Sequence, residues 1–266
     1  MLPGRAMISA ETRMTVIVVA GAVCGGLLAV AALSFKALDG SHPLADTVLG
    51  GASGFLWLAA GVVAHLWRPA NRVGLLMVVV SIGWFAEDLQ LSRIPVVFSV
   101  GLLLTAASSG FLVHLVLAFP TGRLASRLPR LLAAVTYLTV FAMVPLAALF
   151  ADLGVPPNLL LIRDDPQLVA ALWRVINVVG VVVAAGIVTV LVRRWMLARP
   201  PTRRVLAPVF VTGMVGVVAS LAVPRYARSS RSCVSSPAES TPRSSPRPGC
   251  LPRWKHLRRD ARSPSS

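Results

Sequence analysis

Charge is scarce in this chain, and acidic charge scarcest. Only 14% of the 266 residues are Asp, Glu, Lys or Arg, with ten acidic residues against 26 basic ones. Charged residues ordinarily make up about a quarter of a soluble domain, so this chain has too little polar surface to cover a water-soluble globule of its size. Cysteine is nearly absent too. Cys24, Cys233 and Cys250 show no CxxC spacing, which excludes a disulfide framework and a cysteine-based zinc site. Lysine occurs only as Lys36 and Lys255, so there is no GxxxxGK phosphate loop, and no HExxH metal helix is present either.

What is present is apolar. The composition is 56% hydrophobic, with a mean hydropathy of +0.75. Runs at 14–35, 44–67, 95–119, 131–153, 168–192 and 205–223 approach or exceed the roughly 20 residues needed to cross about 30 Å of hydrocarbon. A further run, 73–88, is short and reaches that length only if Leu89 and Leu91 are included or the helix tilts. The first run follows Arg5 and Arg13 in the manner of a signal peptide, but it is longer than the usual 7–15 residues of such a core and reads as an uncleaved helix.

The net charge of +16 would suggest nucleic acid in a soluble protein. Here the basic residues fall between apolar runs and in a tail, with no aromatic platform beside them, so no nucleic-acid partner is expected. Lys and Arg near short loops are retained on the cytoplasmic side. With residues 1–13 inside, the inner connections hold Arg5, Arg13, Arg68, Arg72, Arg123, Arg127, Arg130, Arg193, Arg194, Arg199, Arg203 and Arg204, and the outer ones only Lys36, Arg93 and Arg163. Asp39, Asp46, Glu87, Asp88, Asp152, Asp164 and Asp165 lie on or near the outer side. The alternation needs the short third segment. The expected fold is therefore all-α: a polytopic transmembrane helical bundle of about seven helices spanning 14–223, in the cell membrane with a cytoplasmic N-terminus.

Three stretches have a more specific look. "FPTGRL" at 119–124 ends a membrane helix and is followed by Arg and Pro; it resembles the FP(D/T)GRLPSPRWR-type loop in the N-terminal membrane regions of actinobacterial two-component sensor histidine kinases. "WRPANRVGLLM" at 67–77 resembles their RRPRNPIGWLL element, with Arg68, Asn71 and Gly74 matching and Val73 where Ile is usual. "RRWMLARPPTRRVLAPV" at 193–209 is similar to their Arg-rich segment before the penultimate helix. In order and spacing the three cover roughly 50–223. The resemblance implies a membrane sensor module that passes a signal to a cytoplasmic dimerisation and ATP-binding kinase.

The kinase itself is missing. The four histidines read His42-Pro, His65-Leu, His114-Leu and His256-Leu, and none is followed by the acid of a phospho-acceptor box. "DLGVP" at Asp152 lacks the second glycine of a nucleotide lid, so no catalytic residue, cofactor or enzymatic activity is expected of this chain. Residues 224–266 are rich in Ser, Pro and Arg with almost no periodic apolar residues, a composition that predicts disorder. Seven helices after an inside N-terminus would put this tail and its ten basic residues outside, against the charge rule. Two explanations stand open: a frameshift or truncation that replaced an eighth helix and the kinase after Val223, or a native basic tail on a chain with six or eight passes.

Polar residues inside membrane segments are the default site candidates. His114 in the fourth segment could titrate near neutral pH or hydrogen-bond a neighbouring helix. Asn177 in the sixth is expected to bond across helices. Trp84, Glu87 and Asp88 form an aromatic and acidic group at the outer end of the third, where an external ligand would arrive or where Trp84 joins an interfacial belt. Gly21-xxx-Gly25 and Gly50-xxx-Gly54 permit close helix approach. Arg68, Arg72, Arg123, Arg127, Arg130, Arg193 and Arg194 read as topology anchors. The bilayer is the evident partner; pairing with a second copy or an intact kinase homologue has no residue arguing for it. A small transporter is the alternative function, although midplane charge is nearly absent and no inverted repeat is evident.

Overall fold

A computed structural model describes residues 3–39, 44–154 and 156–197 of the chain, with side chains of 3–11 and 39 excepted. All of these lie in the first of two compact units, 1–211; the second, 212–266, is outside the described residues, as are the seventh expected segment at 205–223 and the tail. The described chain is all-helical and forms a multi-pass membrane protein, with six helices long and apolar enough to cross a bilayer.

The elements in order are α1 (Pro3–Asp39), α2 (Leu44–Trp67), α3 (Val73–Glu87), α4 (Pro95–Leu103), α5 (Ala107–Ala118), α6 (Arg127–Leu138), α7 (Val144–Ala148) and α8 (Pro166–Leu197). The short third segment completes its span with a 3-10 turn at Asp88–Leu91. At 1.5 Å per α-helical and 2.0 Å per 3-10 residue the 19-residue run Val73–Leu91 reaches about 30 Å, enough to cross.

Two expected helices are interrupted. The run expected at 95–119 breaks into α4 and α5 at 104–106. No proline is responsible; polar side chains compete with the helix. The Thr105 hydroxyl lies 3.0 Å from the Leu102 carbonyl and 3.2 Å from that of Gly101, and the Ser108 N–H donates to the Glu87 carboxylate at 2.8 Å. The run expected at 131–153 begins earlier, at Arg127, and ends earlier, at Ala148. Within it a π turn, Thr139–Met143, precedes Pro145, whose ring would otherwise meet the carbonyl one turn back. In the connection to α8, described at 149–154 and 156–165, the Asn158 amide donates to the Ala148 and Ala151 carbonyls at 2.7 and 3.2 Å.

Helix α3 is central and packs against α1, α2 and α5. Its Phe85, Val78 and Ser81 are fully buried. Gly61 of α2 and Gly74 of α3 lie back to back: a Cβ on Gly74 would come 2.6 Å from the Gly61 carbonyl, and one on Gly61 would come 2.8 Å from that of Gly74. Glycines of the two small-residue pairs serve the same bundle, Gly21 and Gly25 against Val78, Leu58 and Ile82, and Gly54 against the Phe85 ring. Outward faces are apolar instead, with Leu27, Val30 and Leu56 well exposed. Polar groups inside and leucines outside are the distribution a hydrocarbon solvent requires.

Candidate functional site

The candidate site lies where α2 turns into α3, α5 turns into α6, and α8 ends. After Trp67 the chain makes a tight turn, with the Asn71 N–H donating to the Arg68 carbonyl at 2.9 Å. The Asn71 side chain then does two things: its Oδ1 accepts from the Val73 N–H at 3.1 Å, starting α3, and its Nδ2 donates to the Pro120 carbonyl at 2.9 Å. Gly122 follows Pro120 with φ +72°, a left-handed conformation that closes α5, and its N–H donates to the Ala118 carbonyl at 2.9 Å. A side chain there is excluded twice over, since a Cβ would also come 2.9 Å from the backbone nitrogens of Arg72 and Val73.

Arg194, in the last turn of α8, completes the junction. It is half-buried, and its two terminal nitrogens donate to the carbonyls of Leu117 and Phe119 at 2.7 and 2.8 Å. A helix leaves its last carbonyls without intrahelical donors. Here every carbonyl from 117 to 120 has one: Arg194, Gly122, Arg194 and Asn71 in turn. Arg194 is thus more than a topology anchor; it cross-links α8 to the end of α5. Of the other arginines expected as anchors, Arg130 in the first turn of α6 donates to the Leu124 carbonyl of the preceding loop at 3.1 Å, while Arg68, Arg72, Arg123, Arg127 and Arg193 are exposed around the junction.

At the opposite end Trp84, Glu87 and Asp88 are each engaged by another element of the bundle. Trp84 donates its indole N–H to the Gly50 carbonyl of α2 at 2.9 Å. Glu87 accepts from Ser108 of α5, and Asp88 pairs with Lys36 of α1 at 2.8 Å. Each side chain ties α3 to a different neighbour.

His114 does hydrogen-bond a neighbouring helix: its Nδ1 lies 2.8 Å from the Tyr137 hydroxyl of α6, beside the Phe111 and Phe141 rings. Tyr137→Phe keeps the ring and removes only that hydroxyl, so a loss of about 1 kcal/mol in thermal or denaturant unfolding is expected. His114→Leu on top of it should add little, and full additivity would mean that the pair is not coupled.

Asn177 corrects the expectation of a cross-helix bond. It donates to the Trp173 carbonyl of its own helix at 2.7 Å and is exposed. The buried residues of α8 begin only at Val183, and a Cβ on Gly180 would meet nothing within 4 Å, so among the described residues no neighbouring helix stands within reach. The residue that sequence reasoning passed over is His65. It is 2% exposed, with Nε2 3.2 Å from the Thr15 hydroxyl of α1 and Nδ1 without a partner among the described residues. The signal that could have found it is the one applied to His114, an ionisable side chain inside an apolar run.

No family model, curated protein or solved structure matches the chain.

Proposed function

We propose that this chain is the membrane input module of a two-component, sensor-kinase-like signalling protein, with its N-terminus and arginine-rich end in the cytoplasm. The observation that supports this reading most is the meeting of the three stretches that carry the resemblance. Residues 67–77, 119–124 and the described start of 193–209 are far apart in sequence, yet Asn71 bonds Pro120 and Arg194 bonds Leu117 and Phe119. An input module needs a rigid route from its sensing face to the chain segment that leaves the membrane. The route here runs from α3, tied at the far end by Glu87 and Asp88, through the end of α5 to Arg194 on α8.

The test is a fusion of residues 1–223 to the dimerisation and ATP-binding core of a sensor kinase. Autophosphorylation should change with envelope or lipid perturbation, and that response should be lost in Arg194→Ala. Output that ignores both the perturbation and the substitution would sink the reading. A transporter is the second reading, favoured by one observation: a membrane helix broken at 104–106 with the Glu87 carboxylate at the break. Saturable, substrate-specific uptake into vesicles carrying the purified full chain would favour it over signalling.

A further inference from the structure

Among the described residues, arginines crowd the junction without acidic partners. Every acidic side chain the structure describes, from Asp46 in the first turn of α2 to Asp165 just before α8, lies toward the opposite ends of the helices. Among the described residues the ion pair formed is Lys36 with Asp88, also at that far end. Among the described side chains the arginine-rich end therefore presents a clear excess of positive charge.

The loops that carry the charge are held in place. Gly122 packs directly on the Arg72 backbone, and Arg123 is the next residue along. Consecutive Cα atoms are about 3.8 Å apart, so the backbones of Arg72 and Arg123 lie within roughly 8 Å of one another. Two guanidinium groups on stems of ordinary length reach a single phosphate from there, and Arg is the side chain best matched to phosphate oxygens. The hydrogen bonds that satisfy the carbonyls of 117–120 fix this spacing before any ligand arrives, which lowers the ordering cost of binding.

Apolar side chains stand among the arginines. Trp67 is 82% exposed, Leu131 61% and Leu197 75%. An acidic soluble protein or a free phosphate would answer the charge and leave these uncovered. A ligand with a phosphate at one end and hydrocarbon at the other answers both.

We propose that the arginine-rich end is a binding surface for anionic phospholipid, with the headgroup phosphate held between Arg72 and Arg123 and the acyl chains against the exposed apolar side chains beside them. The experiment is native mass spectrometry of the purified full chain in detergent, titrated with phosphatidylglycerol or phosphatidylcholine of identical acyl chains. The wild type should retain phosphatidylglycerol in preference, and the double variant Arg72→Gln/Arg123→Gln should lose affinity for it on the order of 100-fold.

Arg127→Gln/Arg193→Gln removes the same charge from the same end and should lose less than about 10-fold at 0.3 M salt, where diffuse attraction is screened. Equal retention of the two lipids, or equal losses in the two double variants, would leave only general attraction and overturn the site. Displacement of phosphatidylglycerol by an equal concentration of inorganic phosphate would also overturn it, in favour of a free-phosphate site. Arg72→Lys/Arg123→Lys, together with the unfolding midpoints of all variants in lipid-free detergent, separates lost binding from lost folding: the lysine pair should keep much of the preference, and a loss that tracks the midpoints instead overturns the proposal.

Discussion

Gly74→Val should force α2 and α3 apart and cost the folded bundle about 3 kcal/mol, the upper end of what overpacking ordinarily costs. The magnitude follows from what the new side chain would strike. A Cβ at Gly74 sits 2.6 Å from the Gly61 carbonyl oxygen and 2.7 Å from the His65 nitrogen, both backbone atoms. A side-chain neighbour could rotate away, but a helix backbone yields only by moving the whole helix. Gly61→Val should cost a similar amount, because its Cβ meets the Gly74 carbonyl and Val78 nitrogen at 2.8 and 2.9 Å.

The two substitutions press on the same crossing, so the double variant should cost clearly less than the sum of the singles. Gly180→Val supplies the control. Among the described residues nothing lies within 4 Å of its Cβ, so that variant should unfold near the wild-type midpoint. Unfolding in detergent followed by tryptophan fluorescence checks all of these; a Gly74 variant as stable as the Gly180 variant would mean that the crossing is not close.

Arg194→Ala is the second large effect, expected at about 2–3 kcal/mol with the loop at 119–124 loosened. Hydrogen bonds to a charged donor contribute about 1.5–3 kcal/mol each, and two are lost here at a half-buried position where water recovers part of the difference. Arg194→Lys should restore less than half, since an ammonium cannot reproduce the fork that spans two carbonyls. The local consequence is accessible to trypsin: cleavage after exposed Arg123 should accelerate in Arg194→Ala and stay slow in Arg193→Ala, whose side chain has no such role. Equal cleavage in the two variants would show that Arg194 does not hold the loop.

These two effects mark different limits of what could be read in advance. Arg194 and Arg193 are adjacent in sequence and identical in type, and charge counting treats them as equal anchors. Only the rotation of α8 separates them, placing one side chain on the end of α5 and the other in the open. Gly61 and Gly74 carry no Gly-xxx-Gly spacing that would have drawn notice, yet a Cβ on either would strike backbone, whereas Gly21, Gly25 and Gly54, which did, face side chains. The break at 104–106 was within reach of the sequence, since Thr105, Ser108 and Ser109 sit together in an apolar run. What made it a break was the Glu87 carboxylate arriving from α3 to take the Ser108 N–H.

By itself the sequence determined that the chain is helical, that it crosses a membrane several times, where most of its crossing segments lie, and that basic residues gather at one end. Each of these rests on sums along the chain: about 20 apolar residues are needed whatever surrounds them, and charges count the same wherever their side chains point. The tertiary structure decided which polar group meets which. Asn71 found Pro120, His114 found Tyr137, Asp88 found Lys36, and Asn177 found the Trp173 carbonyl of its own helix. Hydrogen bonds and close packing depend on separations of a few ångströms between helices, and no sum along a chain contains those distances.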